Sequence, residues 1–189
     1  MYRWVILGMV ILFGVFLFLP KEMELPNEGP VPDIHLTSLN GSSHSFYEPV
    51  PKVVVFFYAD CPDICPLTIW DLKKLRKELV NRGVEDDHYE ILLITLNPAV
   101  DTVSSLISYR DKFDANFKNW RFLRGSDQDV ESLAEAFGMV FRKEGRVVSH
   151  STTLYLVDRN GNIRSKHAMA TSQKPMDVRE VADHIERLQ

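Results

Sequence analysis

Cysteine is scarce in this sequence. The 189 residues contain two, Cys61 and Cys65, four positions apart in CPDICP. Histidine is also sparse, six in all, and no two histidines have the H-x₃₋₅-H spacing that would complete a zinc site with a cysteine pair. A basic excess is missing: the net charge of −4 argues against a nucleic-acid partner. Internal repeats are absent, and a composition of 45% hydrophobic and 25% charged residues excludes disordered and collagen-like classes. No small-x-small cleavage site precedes Lys21, and no cysteine stands near the N-terminus to take a lipid.

One long apolar run is present. WVILGMVILFGVFLFL, Trp4 to Leu19, contains no charged or strongly polar residue. It is just long enough to span a bilayer. With no cleavage site, an uncleaved anchor is the reading preferred over a secretory signal peptide. Arg3 precedes the run, and the balanced pair Lys21-Glu22 follows it. This asymmetry puts the N-terminus in the cytoplasm and the remainder outside. The expected organisation is a transmembrane anchor over 1–20, a proline-containing linker over 21–33 and one domain over 34–189. The localisation expected is a bacterial cytoplasmic membrane, crossed once, with the domain on the extracytoplasmic side. Thiols tend to oxidise there. No oligomerisation element is evident, so a monomer is expected.

Strand and helix signals alternate after the linker. A small hairpin is predicted around Asn40-Gly41. KVVVFFY (52–58) and YEILLITL (89–96) read as strands buried on both faces. Ile69, Leu72, Leu75 and Leu79 form one helical face over 66–82. Pro66 suits the first helical position, and Gly83 suits the end. A second helix is marked by Val103, Leu106 and Ile107, and a third by Val130, Leu133 and Ala134. WRFL (120–123) suits a short strand. A hairpin, the strands TTLYLVD and NIRSKH, and a last helix marked by Val178, Val181 and Ile185 complete the chain. The pattern is α/β with mixed strand directions, fitting a thioredoxin-like domain: a mixed sheet flanked by helices.

The cysteine pair falls between a buried strand and a helix start. On this reading CPDIC is a loop folded onto a helix N-terminus, where the dipole and backbone N–H groups would lower thiol pKa values. A bridge over three residues closes too small a loop to stabilise much. Two readings stay open. One is thiol–disulfide exchange. The other is a soft-ligand metal site, in which two thiolates select Cu(I) and an added imidazole extends the range toward Cu(II).

A third ligand would separate them. His35, His44, His88, His167 and His184 read as ordinary surface histidines. His150, in VVSHSTTLYLVDRNG, differs: a thioredoxin-like fold sets this strand's start opposite the cysteine turn. It reads equally well as a hairpin histidine bonded to backbone. Thioredoxin-type oxidoreductases carry a proline just before this strand. Here SHSTT has none, which argues against a general dithiol oxidoreductase.

FFYADCPDICPLTIWDL, LNPAVDT and SHSTTLYLVDRNG together resemble the Sco/SenC family of copper-binding proteins. The resemblance covers nearly all of the chain after the linker. It implies a membrane-anchored metallochaperone rather than an enzyme, binding Cu(I) or Cu(II) through Cys61, Cys65 and His150. It also implies a reversible Cys61–Cys65 disulfide. The implied partner is the copper-bearing subunit of cytochrome c oxidase, with other copper chaperones and thiol reductants beside it. The alternative is a thiol–disulfide reductase that keeps partner cysteines ready for metal. A peroxide-reducing enzyme of the same fold has no supporting motif. Two positions depart from the family pattern. Asn97 stands where Asp is common, and Ser149 where Asp often precedes the ligand histidine. A carboxylate there would orient the imidazole ring, so weaker Cu(II) binding is expected. Asp101 is expected to cap the following helix and Asp63 to be a turn residue.

Overall fold

The computed structural model describes Tyr2, residues 24–62 and residues 64–189. The expected anchor run, the first linker residues and Asp63 lie outside the described residues. Among the described residues no helix is long and apolar enough to cross a membrane.

The centre of the fold is a strand whose every side chain is buried, β3 (Lys52–Phe57). Its run of β-branched and aromatic residues suits a strand covered on both faces. Parallel to it runs β4 (Glu90–Thr95), with Val53 opposite Ile91 and Phe57 opposite Thr95. The crossover between them is α1 (Ile64–Asn81). A second crossover, α2 (Val103–Lys112), leads to parallel β5 (Trp120–Arg124). Long helical crossovers are what parallel pairing requires. After α3 (Asp127–Ala136) the chain turns antiparallel. β8 (Thr153–Val157) pairs with β3, and β9 (Ile163–Ala168) pairs with β8. On the far edge lie β1 (Leu36–Ser38) and β2 (Ser43–His44), the predicted small hairpin. The seven strands run in the order β2-β1-β5-β4-β3-β8-β9. A separate hairpin, β6 (Phe141–Glu144) and β7 (Val147–His150), pairs only with itself. The closing helix is α4 (Val178–Arg187). This is the expected α/β thioredoxin-like arrangement.

Strand alternation divides the core in two. Val53, Val55, Phe57, Ile91 and Leu93 face α1 and α4, meeting Leu72, Leu75, Leu79 and Ile185. Val54, Phe56, Leu92 and Ile94 face the opposite way, onto Val130, Leu133 and Phe137 around α3. Polar contacts set the helices on the first face. Asp71, nearly buried in α1, accepts the Met176 N–H at 2.9 Å. Arg82 just past α1 pairs with Glu186 at 2.8 Å and with Asp183 on α4.

Three local expectations differ. The first helix starts at Ile64, not Pro66, so Cys65 lies inside its first turn. A proline is tolerated there because first-turn N–H groups have no intrahelical acceptor. Thr102, not Asp101, caps α2: its side chain accepts from the Ser105 N–H. Residues 25–31, expected as linker, lie along the start of β9. Glu28 N–H donates to Ile163 O at 2.9 Å, Val31 N–H to Gly161 O at 2.8 Å, and Val31 is fully buried. Two buried apolar side chains, Leu25 and Val31, and these paired backbone groups outweigh the proline content that suggested a spacer.

Candidate metal centre

At the end of β3 the backbone turns sharply, with Cys61 N–H donating to Tyr58 O at 3.2 Å. Asp101 holds this turn from beneath. Its buried carboxylate accepts the Ala59 N–H at 3.0 Å and the Thr95 hydroxyl. Burial pushes the Asp101 carboxyl upward, opposed by those two hydrogen bonds. Asp101 therefore supports the cysteine loop from forty residues further along the chain.

Both cysteines are thiols in this structure. Cys61 is partly exposed and packs against both apolar clusters, whereas Cys65 is only 2% exposed. The Cys65 backbone N–H donates to Cys61 Sγ at 3.4 Å, so the helix N-terminus faces the Cys61 sulfur. The Cys65 thiol is pushed far up, first by its hydrogen bond to Cys61 and then by burial. That overturns the expectation of two lowered thiols. The field of the helix end falls on the residue in front of it, and Cys65 sits within the first turn, out of water.

His150 ends β7 and is half-buried. Its Nδ1 lies 2.9 Å from the Ser151 carbonyl. A carbonyl only accepts, so Nδ1 carries the proton and Nε2 presents its lone pair. The Ser151 backbone thus does the orienting that a carboxylate at position 149 would do. Tyr58, Cys61, Ile64, Val148, His150 and Thr152 line one open pocket of ≈ 340 Å³. The structure therefore brings Cys61 and His150 to the same cavity, with Cys65 behind Cys61. Among the described residues no three His, Cys, Asp or Glu side chains converge as a ready metal cluster. Two larger clefts, ≈ 690 Å³ beside Arg110 and Trp120 and ≈ 510 Å³ beside Trp70 and Lys174, have no cysteine or histidine in their walls.

Tyr58, Asp60 and Arg146, which sequence reasoning did not single out, and Asn97, noted there only as a departure from the family pattern, fasten the His150 hairpin. Tyr58 is hydrogen-bonded both to Cys61 and to the backbone of Val148. Arg146 at the hairpin turn pairs with Asp60 at 2.7 Å. Asn97 donates to Gly145 O at 3.2 Å. Tyr58 and Asp60 could have been suspected from adjacency to Cys61; nothing in the linear pattern pairs Asn97 with residue 145. Of the other histidines, His35 and His88 are exposed as expected. His167 is 7% exposed, and the His44 side chain is 8% exposed. Both are tucked under neighbouring elements rather than left on the surface.

An α/β thioredoxin-like fold with Cys61 and His150 on one cavity defines the class, and comparison supplies the family. The SCO1/SenC family model matches residues 36–188. The chain belongs to that family. A candidate copper-binding protein of Stutzerimonas stutzeri is 31% identical over 147 residues, 74% of this chain and 70% of its own length. Bradyrhizobium japonicum ScoI, solved with copper bound, shares the fold at a TM-score of 0.68 and 20% identity, over 85% of this chain and 100% of that one. BsSco, described as a member of the Sco family of cytochrome c oxidase assembly proteins with a disulfide switch, shares it at a TM-score of 0.73 and 19% identity, over 88% of this chain and 98% of that one.

Proposed function

We propose that this chain is a copper-binding protein that assists assembly of the copper site of cytochrome c oxidase, with Cys61, Cys65 and His150 as ligands. The observation that carries the reading is the pocket shared by Cys61 and His150, with the His150 Nε2 lone pair left available by the Nδ1 bond to Ser151. The donor set fits the cargo: two soft sulfurs suit Cu(I), and the imidazole extends the range to Cu(II). Family membership and the copper bound by ScoI support the same reading.

Loading requires both thiols to lose their protons, so copper uptake releases protons and weakens in acid. The bond to Cys61 and burial hold the Cys65 proton, which loading must remove. Oxidation of the pair to a disulfide gives up two electrons and two protons to an acceptor such as a partner disulfide. It removes two of three ligands at once, so release can be coupled to oxidation. A tether at residues 1–20 would hold the domain on the extracytoplasmic side of the membrane, near the copper-bearing oxidase subunit, and raise its effective concentration there.

A second reading, a thiol–disulfide reductase acting on partner cysteines, is favoured by the asymmetry of the pair. Cys61 is accessible for attack, and Cys65 lies behind it to resolve the mixed disulfide. It makes His150 dispensable. Titration of the reduced protein with copper, followed by thiolate-to-Cu(II) absorption in wild type and His150→Ala, separates the two. One tight copper per chain, strongly weakened without His150, supports the copper reading. Loose, non-stoichiometric copper indifferent to His150 rejects it in favour of the reductase.

A further inference from the structure

Away from the cysteine loop, a second pair of potential metal ligands meets where α4 covers β9. His167 Nε2 and His184 Nδ1 are 3.1 Å apart. The Ser165 hydroxyl is also 3.1 Å from His167 Nε2. On the other edge of the His167 ring, the Glu180 carboxylate lies 3.6 Å from Nδ1. His167 is buried, while His184 is half-exposed and open to solvent from the helix side.

We propose that His167 and His184 form a separate binding site for a divalent first-row cation, with Cu(II) bound most strongly. The geometry of the rings is the argument. Two nitrogens 3.1 Å apart, each roughly 2.05 Å from one ion, subtend about 98° and set the ring centroids about 4.8 Å apart, whereas a linear hydrogen bond of that length sets them about 5.4 Å apart. The observed separation is 4.9 Å, with the ring planes 55° apart. At least one lone-pair axis is thus tilted off the line of the contact, as a shared ion requires.

The surroundings suit a cation. Glu180 faces the His167 Nδ1, which favours the tautomer with its proton there and the Nε2 lone pair directed at His184. Burial, together with the nearby His184, lowers the proton affinity of His167, which favours the neutral form that coordinates. With only two protein ligands the remaining positions fall to water, one of which the Ser165 hydroxyl can hold, so the site is open and exchangeable. Neither of the two ligands is a sulfur, so the pair carries no bias toward Cu(I). Among divalent ions an imidazole and water set ranks Cu(II) above Zn(II).

The test removes the proposed cysteine-loop site first, so its outcome is independent of that reading. The full-length protein carrying Cys61→Ser, Cys65→Ser and His150→Ala is titrated with Cu(II), and binding is followed by calorimetry and electron paramagnetic resonance. One saturable equivalent showing coupling to two nitrogens is expected. In that background His184→Gln abolishes saturable binding, and Glu180→Gln weakens it about tenfold through loss of ring orientation. Because a substitution can disturb α4, the unsubstituted His184 background supplies a second readout: the first equivalent of Cu(II) must broaden the ring-proton resonances of His167 and His184. Absence of saturable binding, binding unchanged by His184→Gln, or broadening confined to other histidines overturns the proposal.

Discussion

The side-chain amide of Asn97 donates a hydrogen bond to the backbone carbonyl of Gly145, 3.2 Å away and 48 positions along the chain. Gly145 sits at the turn of the β6–β7 hairpin with φ of +62°, and His150 ends that hairpin. The hairpin shares no strand pairing with the main sheet. Its position relative to the cysteine loop therefore rests on a few side chains, of which nearly buried Asn97 is one. An aspartate here, ionised, cannot donate and would set a negative charge against the Gly145 carbonyl oxygen. Asn97→Asp is expected to weaken copper binding by roughly 1–2 kcal/mol, about five- to thirtyfold, while both thiols still titrate with a thiol reagent. Competition against a calibrated copper chelator measures this. Equal affinities would show that the hairpin needs no such fastening.

The two thiols are expected to react unequally. Cys61 borders an open pocket, whereas Cys65 is 2% exposed and its thiol is pushed up by the bond to Cys61 and by burial. Limiting iodoacetamide on the reduced protein, with peptide mapping, should place the first carbamidomethyl group on Cys61. Labelling that begins at Cys65 would contradict the arrangement.

Acid should destabilise the fold partly through His44. Burial first, then Lys52 and Arg121, lower its pKa from 6.5 to about 4. Glu90 is too distant, at 3.9 Å, and too engaged with Arg121 to reverse this. Between those two values the unfolded chain binds the proton and the folded one does not. The stability contributed by neutral His44 is thus complete above about pH 6.5 and is lost as pH falls toward 4. Urea unfolding across this window should show His44→Phe losing roughly 3 kcal/mol less than wild type. Parallel pH profiles would rule out the assignment.

Arg164 fastens the segment before the domain. Its guanidinium donates to Leu25 O at 2.8 Å and Pro26 O at 2.9 Å, and pairs with Asp158 at 3.0 Å. Arg164→Ala should release residues 25–28 and increase proteolysis there severalfold, with the Asp158 turn left intact by its bonds from Asn160 and Asn162. Unchanged cleavage would mean that the backbone pairs to Gly161 and Ile163 suffice.

The element order was legible because it depends on local periodicity. VVVFF (53–57) is apolar throughout and must be covered on both faces. Ile69, Leu72, Leu75 and Leu79 repeat at helical spacing, and Gly83 and Gly138 follow helices with positive φ. The placement of His150 opposite the cysteine turn was also legible, since both flank strongly marked strands. The start of α1 was misread because Pro66 looks like a first helical residue, yet any first-turn position spares its missing N–H. Residues 25–31 were misread because proline content speaks of stiffness, while docking depends on what lies alongside.

Sequence alone determined the strand and helix alternation, the candidate cysteines and histidine, and the family pattern, because these follow from side-chain chemistry and short-range spacing. Tertiary structure decided the rest. Which sulfur faces the pocket, which nitrogen of His150 keeps its proton, what anchors the hairpin at Asn97 and Asp60, and how His167 meets His184 all depend on contacts between segments far apart in the chain, where burial and distance, not order of residues, set the chemistry.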